Sequence, residues 1–302
     1  MTDSRPQIVH LARLLSNESL SASTNILTLD APELAKISLP GQFVQLKTKS
    51  QFLRRPIGVM SADLKQGRVQ LGIRRVGKGS GELCDLPAGS ILDVVGPLGH
   101  GFDLPSTGFA LPSAGYGLPA GGVFSLITVG GGTGLFPLIY LLEEAKRQGL
   151  HTTAVAGFKD PAEAILLERM RDIADLSVFS SESGGLDFTG HAGDAFATVI
   201  KDELGLAKSK DADKGILVCA CGPLAMLENI AAQCQEYEIP CQVSLEARMA
   251  CGLGVCVGCS IPVFKSADCV ADKKETTYER CCYDGPVFPA ERVIWPAQGG
   301  IW

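Results

Sequence analysis

The chain has 302 residues, a formal net charge of −6 and a hydrophobic fraction of 46%. That length predicts about two domains, and the apolar fraction is high enough for packed cores. The acidic balance, without any long basic run, argues against a nucleic-acid-binding protein. Residues 1–10 lack the apolar stretch of a secretory signal, so we expect a cytoplasmic protein.

The first part of the chain predicts a domain of short β-strands. Apolar and β-branched residues concentrate at 7–15, 25–29, 42–47, 68–74 and 91–95. Turn residues separate these segments, and short strands at such spacing are typical of a β-sandwich or β-barrel. Residues 104–122 are rich in glycine and proline, which predicts a linker.

From residue 123 the pattern changes to alternating strands and helices. The predicted strands are 124–129, 153–156, 176–180, 216–220 and 242–245, and the predicted helices are 135–147, 162–173 and 224–237. Such alternation indicates βαβ units and a parallel sheet. Residues 104–142 contain no charged residue, but the glycines at 130–134 divide this stretch into a strand and a helix, which argues against a membrane span.

The last part of the chain predicts a small domain that is organised around cysteines. Of the 11 cysteines in the chain, Cys251, Cys256 and Cys259 follow the C-x4-C-x2-C spacing of plant-type [2Fe–2S] ligation. Thiolates must converge on two neighbouring irons, and glycines between these cysteines permit the tight wrapping that this requires. The spacing therefore favours an iron–sulfur cluster.

Spacing alone leaves the fourth ligand open. Cys282 precedes a turn signal at residues 283–286, while Cys281 and Cys269 are competitors. Zinc is the alternative metal, but structural zinc sites commonly use two C-x2-C pairs, and only Cys256 and Cys259 form an evident one.

Two motifs of the central region predict a dinucleotide site. A glycine turn lets a pyrophosphate approach the main chain, and the following helix N-terminus favours the anion. Because ligands of open α/β sheets bind outside the carboxyl ends of parallel strands, one crevice could hold a dinucleotide between the two motifs. The plainer alternative is a structural turn with a proline at a helix start. The candidate residues are Gly130, Gly131, Gly132, Thr133 and Gly134 in the first motif and Cys221, Gly222 and Pro223 in the second.

Two further motifs lie in the β-rich part. Arg55, followed by Pro56, could pair with a phosphate through two N–H groups. Gly79 and Ser80 offer an open main chain and a hydroxyl for a second phosphate contact. Taken singly these are common surface features, and only their combination with the later motifs favours a binding site.

The order of these motifs resembles that of the ferredoxin–NADP reductase-like flavoproteins. The resemblance rests on Arg55-Pro56-Ile57, Gly79-Ser80, Gly96-Pro97-Leu98-Gly99, the glycines at 130–134, Cys221-Gly222-Pro223 and the cysteine region at 251–288. More narrowly, residues 244–256 and 282–288 are similar to the electron-transfer subunits of NAD-dependent (class 1B) dihydroorotate dehydrogenase. The similarity spans nearly the whole chain.

The resemblance implies an N-terminal antiparallel FAD-binding β-barrel at 1–103, a central NAD-binding α/β parallel-sheet domain at 123–245 and a small C-terminal [2Fe–2S] domain at 246–302. It implies a heterotetramer with an FMN-containing catalytic subunit, in which electrons from dihydroorotate pass through the cluster and FAD to NAD+ in pyrimidine biosynthesis. It assigns no catalytic side chain to this chain. The implied FAD contacts are Arg55, Pro56, Ile57, Gly58, Gly72, Ile73, Arg74, Gly79 and Ser80, and the implied cluster ligands are Cys251, Cys256, Cys259 and Cys282.

The sequence departs from this family at two places. Gly58 stands where the family commonly has serine or threonine, so a hydroxyl near the flavin ring is absent. Between Cys259 and Cys282 lie 22 residues, a longer interval than is typical. The alternatives are a reductase subunit of another NAD(P)H-linked system, of the sulfide dehydrogenase or ferredoxin reductase type, and a zinc-stabilised interaction module. For NADP, Lys159 or Arg171 could accept the 2′-phosphate, although a solvated side chain is the plainer interpretation.

Overall fold

The computed structural model describes residues 8–104, 123–210, 215–265 and 275–296. These residues form a closed barrel, a seven-stranded sheet with flanking helices, and a two-stranded hairpin. This architecture confirms the predicted fold class. Cys269 and almost all of the expected linker at 104–122 lie outside the described residues.

The N-terminal barrel has six antiparallel strands in the closed order β1-β2-β5-β4-β3-β6. They are β1 (Ile8–Ser21), β2 (Thr24–Asp30), β3 (Phe43–Leu46), β4 (Arg55–Asp63), β5 (Arg68–Arg74) and β6 (Ile91–Leu98). Leu27 and Leu29 of β2 and Leu71 of β5 point inward and are fully buried, as the two-residue period of a strand requires. The short helices α1 (Pro32–Ile37) and α2 (Lys78–Cys84) add apolar side chains to this core.

The strand β4 is absent from the sequence-based prediction. Pro56 and Gly58 interrupt its pattern, because proline donates no ladder N–H and glycine has a low strand propensity. The barrel provides the pairing that the local sequence does not suggest. Pro56 lies opposite Gln45 of β3, and Val59 lies opposite Leu71 of β5.

The central sheet has the strand order β10-β9-β8-β7-β11-β12-β15. Its strands are β7 (Val123–Gly131), β8 (His151–Phe158), β9 (Leu176–Ser181), β10 (Phe188–Thr189), β11 (Gly215–Cys221) and β12 (Cys241–Ser244), with β15 from the C-terminal segment. The strands from β7 to β12 pair in parallel, which brings their carboxyl ends to one edge. The helices are α3 (Leu135–Arg147), α4 (Leu167–Ile173), α5 (Ala192–Lys210) and α6 (Leu224–Glu236).

The C-terminal segment packs onto the central sheet. The strands β13 (Ser260–Phe264) and β14 (Thr276–Arg280) form the hairpin, and β15 (Val287–Pro289) pairs antiparallel with β12. Ile261 and Phe288 share one buried apolar cluster with Val243 of the central sheet. The cysteine region therefore has apolar support in addition to any metal.

The helix α3 fixes the barrel against the sheet. The Tyr140 hydroxyl donates to the carbonyl oxygen of Ser38 over 2.8 Å, and the Ser61 hydroxyl donates to Glu143 over 2.7 Å. Both bonds join α3 to the barrel. Among the helices of the described ranges, none combines the length and apolar character that a membrane crossing requires.

Candidate functional site

The two motifs of the central domain meet at the carboxyl ends of β7 and β11. These strands are neighbours in the sheet, and Gly130 lies opposite Cys221. Gly134 packs directly on the carbonyl oxygen of Cys221, and a Cβ added to Gly222 would lie 3.1 Å from the main-chain nitrogen of Gly131. The absence of side chains at these glycines lets the two motifs pack directly on one another.

A cavity of 690 Å³ opens beside these motifs. Gly132 and Thr133 line it from the sheet, and Arg74 lines it from the barrel strand β5. A Cβ added to Gly132 would lie 4.0 Å from Nη1 of Arg74, so the guanidinium reaches the glycine turn. A guanidinium beside main-chain N–H groups at a helix start suits a diphosphate. Arg74, implied as an FAD contact by resemblance, thus lies next to the predicted dinucleotide turn.

Acidic groups share the rim of this cavity with cations. Lys159 follows β8, Glu182 follows β9, and Nδ1 of His191 lies 3.4 Å from the Glu182 carboxylate. Sequence reasoning missed Glu182 and His191, because neither belongs to a glycine motif. The available signal for Glu182 was its place directly after a predicted strand, at the binding edge of the sheet.

Arg171, the other cation considered for a 2′-phosphate, is occupied elsewhere. Its guanidinium lies 2.9 Å from Glu168 and 4.9 Å above the ring of Phe179. It is not among the residues that line the cavity.

The two phosphate-type motifs of the barrel are in contact. The Arg55 side chain lies across Gly79, so any side chain at position 79 would displace the guanidinium. The Ser80 hydroxyl accepts the main-chain N–H groups of Val76 over 2.9 Å and of Gly77 over 3.1 Å, and the bond to Gly77 caps the start of α2. The Arg55 guanidinium donates to the carbonyl oxygens of Leu53 and Arg54, each over 3.2 Å, and to Oε1 of Gln51 over 3.3 Å. An anion at this point would compete with those acceptors, and the Ser80 hydroxyl already has a local structural role.

The other flavin candidates of the barrel differ in how much room they leave. A Cβ added to Gly58 would meet nothing closer than Cδ of Pro137 at 4.0 Å. The ring of Phe136 covers Gly72 so closely that no side chain fits there. Ile73 is buried in the barrel core, so only its main chain faces a ligand. Of these candidates, Gly58 therefore leaves the most room, and the proposed flavin groove is the open space beside Gly58 on β4.

The main-chain N–H groups of the cysteine loop point at sulfur atoms. Leu253 and Cys256 donate to Sγ of Cys251 over 3.3 and 3.5 Å, and Gly254 donates to Sγ of Cys282 over 3.2 Å. Burial opposes ionisation of Cys251, but these donors prevail and lower its pKa to about 7. The loop thus stabilises a thiolate, which is the form that binds iron.

The side chains of the adjacent residues Cys281 and Cys282 point in different directions. The main-chain N–H of Cys282 donates to Sγ of Cys259 over 3.4 Å, and burial together with that thiol raises the pKa of Cys282. The Cys281 thiol is turned away and donates to the carbonyl oxygen of Leu245 over 3.2 Å. Cys282 therefore lies with the loop cysteines.

The donor set of this loop fits a [2Fe–2S] cluster. Such clusters use four thiolates with N–H groups directed at sulfur, and here main-chain N–H groups point at the sulfurs of Cys251, Cys259 and Cys282. In the part of the chain that the structure describes, no three His, Cys, Asp or Glu side chains are gathered closely enough to bind one metal ion.

Two family models match the chain. The model described as "Iron-sulfur cluster binding domain of dihydroorotate dehydrogenase B" matches residues 246–294. The model described as "Oxidoreductase FAD-binding domain" matches residues 11–102. The matched ranges contain the cysteine loop and the barrel motifs respectively.

Curated relatives are similar over nearly their whole length. A protein of Geobacillus thermodenitrificans named "Dihydroorotate dehydrogenase B (NAD(+)), electron transfer subunit" is 31% identical over 284 residues, which is 93% of this chain and 96% of the relative. The protein of the same name from Desulforamulus reducens is 29% identical over 287 residues, covering 94% and 97%.

Solved structures share the fold. A NADH-dependent reduced ferredoxin-NADP oxidoreductase superposes with a TM-score of 0.72 at 24% identity, covering 95% of this chain and 90% of that chain. A ferredoxin reductase of carbazole 1,9a-dioxygenase gives 0.61 at 19% identity, covering 78% and 68%.

Proposed function

Since the chain belongs to the family of the electron transfer subunits of dihydroorotate dehydrogenase B, we propose that it carries electrons from a catalytic subunit to NAD+ through a [2Fe–2S] cluster and FAD. In this role it serves pyrimidine biosynthesis, and dihydroorotate is oxidised on the partner chain. One observation carries the proposal: the cysteine loop, the helix α3 and the dinucleotide turn each contact a strand of the barrel, the turn through Arg74 of β5. Gly252 of the loop packs on Gln45 of β3, and Gly58 of β4 faces Pro137 of α3.

The chemistry comes from the bound groups, since the cluster exchanges single electrons whereas FAD and nicotinamide exchange two. The residues of the chain bind and orient these groups. Arg55 would neutralise an FAD phosphate beside Gly79, and the main chain from Pro56 to Gly58 would hold the flavin ring. Gly131, Gly132, Thr133 and Pro223 line the cavity that would hold NAD+. Gly130, Gly134, Cys221 and Gly222 would support it from behind, where the two motifs pack on one another.

We assign the cluster to Cys251, Cys256, Cys259 and Cys282. The N–H donors of Leu253 and Gly254 support this assignment, because they stabilise negative sulfur. The Cys281 thiol, which is bonded to the Leu245 carbonyl, is left out of the ligand set.

The partner in this proposal is an FMN-containing catalytic subunit, with two copies of each chain. The cysteine loop reaches the surface, where Val255 is 81% exposed and Val257 is 60% exposed. We propose this loop as the docking point, because single-electron transfer needs short distances. The buried free thiols, such as Cys219 and Cys241, suit the reducing conditions of the cytoplasm.

The test is an anaerobic iron, zinc and flavin analysis of the purified chain, followed by NADH titration and by assay with the catalytic subunit. We expect about two irons and about one FAD per chain, bleaching by NADH, and dihydroorotate-dependent reduction of NAD+. Zinc without flavin would remove the proposal. A loaded chain that reacts with NADH but never with dihydroorotate would indicate another reductase of the same fold.

A further inference from the structure

Gln45 is a fully buried glutamine whose side chain has no hydrogen-bonding partner. It is 0% exposed, and neither Oε1 nor Nε2 has a partner among the described residues. Buried polar groups are nearly always paired, and an unpaired one calls for an explanation such as an ion or cofactor. A carboxamide also offers two N–H donors and one acceptor, so this position has considerable unused capacity.

Strand geometry directs Gln45 away from the barrel core. Its neighbours Val44 and Leu46 belong to the barrel core, whereas Phe43 belongs to the core of the central sheet. Because side chains alternate along a strand, Gln45 lies on the same outer face as Phe43. Its cross-strand partner is Pro56 of the proposed flavin groove, and paired residues share a face.

The other neighbour of Gln45 is the cysteine loop. A Cβ added to Gly252 would lie 2.5 Å from Nε2 and 2.8 Å from Cγ of Gln45. Gly252 also has a φ of +70°, a conformation that disfavours side chains. Glycine is thus required at position 252 both for the close contact and for the backbone conformation. Because Gly252 has no side chain, the Gln45 carboxamide can pack against the main chain next to Cys251.

We propose that the Gln45 carboxamide donates an N–H to the sulfur side of the [2Fe–2S] cluster at Cys251, and that it is a positioning residue between the cluster and the flavin groove. This inference rests on the proposed function, because it requires the cluster. The N–H groups of Leu253 and Cys256 already serve Cys251 from within the loop. Gln45 is a donor that reaches the same side from the barrel.

The consequence is a higher reduction potential for the cluster. Reduction adds negative charge, and N–H donors to sulfur stabilise the more negative state. Removing the Gln45 donor should therefore make the cluster harder to reduce, while a side chain of similar length keeps the contact with Gly252.

The test compares the full chain, reconstituted with iron and FAD, as wild type, Gln45→Met and Gln42→Met. Gln42 is the matched control, because it is a buried glutamine just before β3 whose carboxamide is satisfied by main-chain groups of Gly99 and Leu39. In an anaerobic titration followed by electron paramagnetic resonance, we expect the cluster midpoint of Gln45→Met to fall by about 59 mV, a tenfold shift of a one-electron equilibrium. The midpoint of Gln42→Met should stay at the wild-type value.

A second measurement uses wild-type protein with ¹⁵N in the glutamine side chains. We expect a ¹⁵N hyperfine coupling on the reduced cluster that is retained in Gln42→Met. This readout needs no Gln45 variant, so it decides the matter even if Gln45→Met does not fold. A labelled wild type without the coupling, or an iron-loaded Gln45→Met with an unchanged midpoint, overturns the inference. A wild-type chain without iron would instead overturn the proposed function.

Discussion

At the scale of single residues, two glycines among the proposed FAD contacts differ in how well they should tolerate a side chain. Gly58 has open space around it, whereas Gly72 lies under the ring of Phe136. We expect Gly58→Ser to change the free energy of unfolding by less than about 0.5 kcal/mol. Gly72→Ser should destabilise by about 1–3 kcal/mol through overpacking. Thermal unfolding of both variants checks this contrast.

Gly58→Ser also tests the flavin assignment. A hydroxyl in the groove beside the proposed flavin ring should shift the flavin midpoint potential, because it adds a hydrogen-bond donor at the ring. A spectroelectrochemical titration measures the shift. If the folded, FAD-loaded variant keeps the wild-type potential, Gly58 does not border the ring.

Asp103 gives a second prediction at this scale. It lies 4.0 Å from Nε2 of His100, and burial raises its pKa to about 6. Because the folded-state pKa lies above the unfolded value, the stabilisation is fully present below about pH 4 and is lost as the pH rises through 6. We expect Asp103→Asn to be more stable than wild type by up to about 3 kcal/mol above pH 6. The melting temperatures of the two proteins at pH 4.5 and 7.5 provide the measurement, and an equal difference at both would contradict it.

At the scale of elements, local pattern predicted most strands and the helix α3, since their periodicity is strong. It did not predict β4, because Pro56 and Gly58 interrupt the local strand pattern. This strand forms because it pairs with its neighbours in the barrel. It also missed α5, although Phe196 and Ile200 follow a helical spacing and are buried. The spacing of the first three cysteines was readable because it lies within one loop.

The contacts of Gln45 and the separation of Cys281 from Cys282 were not readable from sequence. Both depend on which elements meet in space. The only sequence signal for Gln45 is a weak one: it is a polar residue between Val44 and Leu46 in a buried strand. The direction of each neighbouring thiol depends on where β12 and the cysteine loop lie.

The adjacent cysteines provide the prediction for this element. We expect Cys282→Ser to lose most of the iron and its visible absorbance, because it removes a thiolate ligand. Cys281→Ser should keep about two irons, since a serine hydroxyl can still donate to the Leu245 carbonyl. Iron analysis of both anaerobically purified variants measures the difference. Iron loss confined to Cys281→Ser would reverse the assignment.

At the scale of the whole molecule, the nucleotide cavity is built from both the barrel and the sheet. Arg74 comes from β5, while Gly132 follows β7 and Glu182 follows β9. The barrel thus supplies a cation to the proposed diphosphate site, and the strand β9 supplies a carboxylate to the same cavity. In dinucleotide-binding sheets, an acidic group near the ribose bonds the 2′-hydroxyl of NAD and repels the 2′-phosphate of NADP.

That arrangement predicts the choice of dinucleotide. The Glu182 carboxylate, half-exposed beside His191, should disfavour NADPH. The substitution Glu182→Ser removes this repulsion and leaves Lys159 and His191 to attract the 2′-phosphate. We therefore expect the ratio of kcat/KM for NADPH to kcat/KM for NADH to rise about tenfold, which is equivalent to about 1.4 kcal/mol. Glu168→Ser is the control, because Glu168 belongs to the same domain but does not line the cavity. Rates of flavin reduction by NADPH and by NADH give this ratio for each variant. If the ratio is the same in Glu182→Ser and Glu168→Ser, the adenosine ribose does not lie near β9.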